Sequence, residues 1–199
     1  MYQGSRELDE ENAEPFGFDA ASIDYVLLTH AHLDHCGRLP LLTKRGFRGE
    51  VVTTSATREL TRLVMLDAAY LLEDEARHRA RRNGHYNPKN VANAPLYSTL
   101  DALNCLDNFG RTATYSEAFE VTPGVSATFL DAGHILGSAS IFLQLSESGR
   151  STSVLFSGDL GNAGRPLLRG TATPPHAENV VMETTYGDRL HKPLGPSID

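Results

Sequence analysis

An α/β fold is predicted for this chain of 199 residues, on two observations. Near the N-terminus, short apolar runs rich in strand formers alternate with helical patterns in the order strand, helix, strand. From Val121 onward, further short strand candidates follow, separated by glycine, proline and asparagine. Hydrophobic residues make up 40% and charged residues 22%, which leaves enough apolar side chains for a core. The length fits one domain, or one domain and a fragment.

The elements follow in order. The stretch through Pro15 is polar and acidic (Glu7, Asp9, Glu10, Glu11, Glu14) and reads as loop. Tyr25 to Thr29 is an apolar run bounded by polar residues, a buried strand. Gly37 to Arg45 reads as a short helix closed by Gly46, and Val51 to Thr54 as a second strand. Ala56 to Arg82 is a long helical pattern, with an apolar face of Leu60, Leu63, Val64, Leu66, Ala69, Tyr70 and Leu72. Its far end gathers Arg77, His78, Arg79, Arg81 and Arg82, either a solvated helix end favoured by the dipole or an RNA-contacting patch. Asn83 to Pro95 has a loop composition, and Ser98 is placed to cap a helix. Strands are expected over Ser126–Leu130, Ser140–Leu145, Ser153–Ser157 and Asn179–Glu183.

Composition excludes several classes. No apolar run is long enough to span a bilayer, so no membrane partner is expected. The N-terminus lacks an apolar stretch of the signal-peptide kind, which makes the cytoplasm the expected compartment. Two cysteines, Cys36 and Cys105, do not make a disulfide framework. Cys36 beside a histidine cluster is readable as ligand, nucleophile or packed thiol. The formal net charge of −7 advertises no nucleic-acid partner, although a local basic face is compatible with it.

The chemistry concentrates in Thr29-His30-Ala31-His32-Leu33-Asp34-His35-Cys36-Gly37, directly after a strand and before a helix. Strand ends are where α/β proteins build ligand sites. Three imidazoles and a carboxylate within six residues are costly to crowd together unless something binds them. Zinc accepts neutral imidazole nitrogen and carboxylate oxygen, so the loop is a candidate metal site. Two later strand ends offer the remaining ligands: His134 in a turn flanked by Gly133 and Gly137, and Asp159 between Gly158 and Gly161.

The pattern His30-x-His32-x-Asp34-His35, then His134, then Asp159, resembles the metallo-β-lactamase superfamily. Finer strings are similar to its β-CASP branch of RNA-processing metallohydrolases. They are Pro15-Phe16-Gly17-Phe18-Asp19, Gly37-Arg38-Leu39-Pro40, the stretch from Gly133 to Ala139, and Glu183 through Tyr186-Gly187-Asp188-Arg189 to His191. The resemblance implies an αββα sandwich with the site at one edge of its sheets, incomplete here at both ends. It implies two zinc ions, one held by His30, His32 and His134, the other by Asp34 and His35, with Asp159 bridging. The activity implied is cleavage of RNA phosphodiesters by a metal-activated hydroxide, which Asp34 would orient. Glu183 would orient a histidine acting as proton donor to the leaving oxygen. RNA is then the partner, and a homodimer the implied assembly.

Some pieces of the family's pattern are absent from the chain: the strand ending in an aspartate-glycine turn, most of the cap domain, and a last ligand histidine. Residues 1–185 are thus expected to be a partial metallo-β-lactamase-like domain and 186–199 the start of a truncated cap, within a longer protein. The isolated chain is expected to be weakly active or inactive. Two further readings stand beside the ribonuclease: a small-molecule hydrolase acting on β-lactams, thioesters or lactones, and a non-catalytic scaffold.

Overall fold

The computed structural model describes residues 1, 11–82, 94–162, 164, 166–185, 187 and 188. Most of the acidic opening, the loop expected from Asn83, and the last residues from Arg189 lie outside them, with most of the expected cap segment.

Three strands form a parallel sheet: β1 (Tyr25–Leu27), β2 (Glu50–Thr54) and β3 (Phe109–Ala113), in that order. Parallel neighbours need crossover connections, and helices supply them. Between β1 and β2 lie α1 (Leu33–Cys36) and α2 (Leu39–Lys44). Between β2 and β3 lie α3 (Ser55–Arg82) and α4 (Thr99–Leu106). Ser98 caps α4 as expected, in a reciprocal capping box with Asp101.

The expected helix from Gly37 begins two residues later. Pro40 sits in the first turn of α2, where its missing N–H is tolerated. A proline further inside a helix would clash with the preceding turn, so α1 and α2 stay separate.

The second sheet contains β4 (Ala118–Thr122), β5 (Val125–Asp131), β6 (Ala139–Glu147), β7 (Arg150–Phe156) and β8 (Asn179–Val181), in that order. Neighbours are antiparallel except β7 and β8, which are parallel. β3 and β4 were not foreseen. The three middle residues of β3 are exposed, and β4 has no clean alternation, so neither carries a buried-strand pattern.

Side-chain alternation sorts the core into layers. Val52 and Ala113 of the first sheet meet Ala127, Phe129 and Ile141 of the second, all buried. On the other face of the first sheet, Leu28, Val51 and Phe109 pack against Leu41, Leu42, Met65 and Ala69 of the helices. The far face of the second sheet carries Leu130, Phe142 and Leu155, with loop residues Ala172 and Ala177 packed against them. Among the described residues no helix covers that face, so three of the four sandwich layers are in place.

Much of the expected face of α3 packs: Ala69 is buried, and Val64, Leu66 and Leu72 lie half-buried against the core. Met65, Ala68, Ala69, Ala76 and Ala80 are buried, whereas Leu63 and Tyr70, seven residues apart, are exposed. Met65 and the alanines form the fully buried stripe, and Leu63 and Tyr70 fall outside it. At the basic end, Arg77 and His78 pair with Asp74 and Arg79 with Glu75 along the helix, as a solvated helix end would. No described helix is long and apolar enough to cross a membrane.

Candidate metal centre

The ends of β1, β5 and β7 deliver the chemistry-bearing side chains. β5 and β7 both run antiparallel to β6, so they finish at the same edge of the second sheet. Leu28 N donates to Val52 O (3.0 Å), and Ala139 N donates to Thr29 O (2.9 Å). The second of these bonds crosses from one sheet to the other immediately before His30. The following segment turns into α1 with His32 at its N-cap, so Asp34 and His35 stand on a single helical turn and not in an open loop.

The six residues singled out by sequence converge. Donor atoms of His30, His32, His134 and Asp159 lie within 4.8 Å of one another, and so do those of Asp34, His35 and Asp159. Asp159 belongs to both groups. Its Oδ2 is 3.5 Å from His30 Nε2 and 3.4 Å from His134 Nε2, while its Oδ1 is 3.2 Å from His35 Nε2. His35 Nε2 is also 3.5 Å from Asp34 Oδ2.

The electrostatics favour a cation in this space. His30 is fully buried, and burial, reinforced by the neighbouring His35, His32 and His134, pushes its pKa down to about 3. Its Nδ1 is 3.1 Å from Thr29 Oγ1, while its buried Nε2 has no hydrogen-bond partner. With Nδ1 carrying the proton, Nε2 is a bare lone pair sealed from water. Such a group is costly unless an acceptor of electron density occupies the gap. Neutral imidazole nitrogens and carboxylate oxygens are the donor set of a borderline divalent ion, so the residues present fit a metal.

Backbone geometry holds the His134 turn. Ser138, fully buried, accepts from the amides of His134 (3.0 Å) and Ile135 (3.2 Å) through Oγ. Tyr115 OH donates to Ser138 O (2.8 Å), and the hydroxyls of Thr54 and Thr57 both donate to Gly137 O (2.8 Å each). The Asp159 loop docks closely on the same turn: a Cβ on Gly161 would stand 1.7 Å from Gly133 O. Sequence reading assigned no role to Ser138, Thr54, Thr57, Tyr115 or Gly161. Hydroxyl residues near a glycine turn are too common to be a signal by themselves.

Glu183 lies outside both groups. Its carboxylate is held below the usual range by the Thr185 hydroxyl and the Leu160 amide, and Leu160 N donates to Oε1 at 2.8 Å. Cys36 is a packed thiol: it is buried, donates to Ala31 O (3.4 Å), and burial pushes its pKa up to about 12.

Two stacked sheets with a His/Asp cluster at their shared edge define a class of metal-binding sandwich proteins. The sequence profile of the Metallo-beta-lactamase superfamily matches residues 4–183, and the chain belongs to that family. It is 37% identical over 198 residues to Ribonuclease TTHA0252 of Thermus thermophilus, covering 100% of this chain and 39% of that protein. It is 33% identical over 195 residues to the Transcription termination factor FttA of Methanothermobacter thermautotrophicus, covering 95% and 27%. It is 32% identical over 178 residues to the Endoribonuclease YSH1 of Kluyveromyces lactis, covering 88% and 21%. The chain thus spans about two fifths or less of the length of these relatives. Among solved structures it is similar to the FEZ-1 metallo-beta-lactamase of Legionella gormanii, at 19% identity and a TM-score of 0.43, over 76% of this chain and 48% of that one.

Proposed function

We propose that the chain is the zinc-binding part of a longer β-CASP-type protein that cleaves RNA phosphodiester bonds. One observation carries the reading: two donor groups share Asp159 at the common edge of the sheets. Relatives named as a ribonuclease and an endoribonuclease support RNA as the substrate over a small molecule. The number and type of donors also disfavour an idle scaffold.

In this reading His30, His32, His134 and Asp159 would hold one zinc ion, and Asp34, His35 and Asp159 would hold the other. Bound there, the ions supply a lowered pKa for water, from about 15.7 toward roughly 7, and offset charge developing on the phosphoryl oxygens. The chain's own residues do the rest. Burial keeps His30 neutral, so its nitrogen is available without proton competition. Asp34 is the more open member of its pair, with its side chain 56% exposed against 30% for His35. In this reading its carboxylate would orient the attacking water. Glu183 would orient a proton-donating histidine carried by the rest of the protein.

Elemental analysis of the purified chain and of a His30→Ala/His32→Ala variant tests the metal assignment. About one or two zinc ions per wild-type chain, lost in the variant, are expected. The longer protein is expected to cleave RNA and to lose that activity with a chelator, while the isolated chain cleaves weakly or not at all. Zinc-free folded wild type, or turnover of a lactam or thioester in preference to RNA, would overturn the proposal.

A further inference from the structure

We infer that Glu183 is a positioning residue for Asp159, acting through the backbone amide of Leu160. The inference rests on the two-zinc reading and gives Glu183 a task inside this chain, independent of any proton donor elsewhere.

β8 pairs with β7 in parallel, with Val181 opposite Phe156, and the pairing continues past both strand ends. Ser157 N donates to Val181 O at 2.9 Å, and Glu183 N donates to Ser157 Oγ at 3.1 Å. Three residues after Ser157, Leu160 N donates to Glu183 Oε1 at 2.8 Å. Glu183 therefore grips the Asp159 loop on both sides, by its own amide before Asp159 and by its carboxylate after it. The Thr185 hydroxyl bonds the same carboxylate and steadies it.

The loop needs such a grip. Gly158 precedes Asp159 at φ +57°, a conformation without intrinsic stiffness, and Gly161 follows two residues later. Asp159 has the most exacting position of the six, because its two oxygens face different partners: Oδ1 faces His35, and Oδ2 faces His30 and His134. A small rotation of the 159–160 peptide would bring one oxygen in and carry the other out. A carboxylate accepting from a backbone amide is a strong, directional tether for that peptide. Partners of this kind around metal ligands typically contribute 10–100-fold in metal affinity.

A tether needs only an acceptor oxygen of the right reach, whereas orienting a proton-donating histidine needs the negative charge. Zinc affinity of the chain is therefore to be titrated against a chromophoric chelator for wild type, Glu183→Gln and Glu183→Ala, with the cobalt(II)-substituted visible spectrum as a second readout. Expected are an affinity within about threefold of wild type for Glu183→Gln and a loss of about 10–100-fold for Glu183→Ala, with an altered cobalt spectrum only in the latter. Hydrogen exchange at the Leu160 amide, read without metal, is expected to be slow in wild type and Glu183→Gln and fast in Glu183→Ala. Equal affinity in all three proteins, equal loss in Gln and Ala, or an unprotected Leu160 amide in wild type would overturn the inference while leaving the zinc site standing. Absence of zinc from the wild type would bring down the two-zinc reading and this inference with it.

Discussion

His134 Nε2 stands 3.0 Å from His32 Nδ1, although 102 positions separate the two residues in the chain. The two ring nitrogens share one hydrogen bond, with one ring donating its N–H and the other accepting. The contact is a consequence of strand ends: β5 closes its sheet at the edge where the segment after β1 turns into α1.

Replacing Ser138 by alanine removes the oxygen that accepts from the His134 and Ile135 amides. Two partly buried donors would lose their partner, which costs about 1–3 kcal/mol. A chain of this length is then expected to melt roughly 2–10 °C lower, with weaker zinc binding as His134 loosens. An unchanged melting temperature and unchanged zinc titration would show that the turn holds without Ser138.

Gly161→Ala is expected to be damaging for a steric reason. The new Cβ would lie 1.7 Å from Gly133 O and 2.5 Å from His134 N, so the Asp159 and His134 loops must part. Overpacking of this sort costs about 1–3 kcal/mol, and the two loops carry the shared ligands. Gly170→Ala serves as the control, because nothing lies within 4 Å of its added carbon. Calorimetry and zinc content of the two variants should diverge; similar values would refute the account of close loop docking.

Acid should destabilise the metal-free chain in a particular window. His30 has a folded-state pKa of about 3, against 6.5 for the unperturbed group. Below pH 6.5 the unfolded chain takes up a proton that the folded chain refuses, so stability falls as pH drops from about 6.5 toward 3. The limiting slope for one proton is about 1.4 kcal/mol per pH unit. Denaturant melts of wild type and His30→Gln across that range should show a shallower dependence in the variant.

Both thiols should be inert in the native chain. Burial raises Cys36 to about 12 and Cys105 to about 11, so neither supplies thiolate at pH 8. Because these pKa values exceed the ordinary 9, the unfolded chain loses protons first as pH rises past 9, and stability should fall from there toward 11 and 12. A colorimetric thiol reagent is expected to label neither cysteine until denaturant is added. Rapid labelling of the native chain would place Cys36 back among the reactive groups.

Phe129→Ala opens the layer between the sheets, where Phe129 is fully buried beside Phe119 and Ile141. The expected loss is about 3–5 kcal/mol, measured by urea unfolding.

Much of this protein is legible in local sequence. The run from His30 to His35 reads as a candidate metal site because so many metal-binding side chains crowd into one short segment. Ser98 and Asp101 write a helix start by themselves, since a capping box is closed within four residues. β1, β2 and β5 to β8 show as apolar runs because each is bounded by turn residues. What local reading missed shares one property: it depends on partners distant in the chain. Leu63 and Tyr70 join the apolar pattern of α3, yet the packed stripe is decided by what the first sheet and α4 present to it. β3 and β4 are strands because neighbouring strands complete their hydrogen bonds, not because their side chains alternate.

By itself the sequence determined the α/β class and singled out six candidate donor residues near the ends of β1, β5 and β7. Only the tertiary structure decided that Asp159 faces both donor groups, that Ser138, Thr54 and Thr57 lock the His134 turn, and that Glu183 grips the Asp159 loop. The division has a physical cause. Residue type and short-range spacing encode which atoms can bind a cation, whereas the aim of those atoms is set by hydrogen bonds and close backbone approaches between segments tens of residues apart.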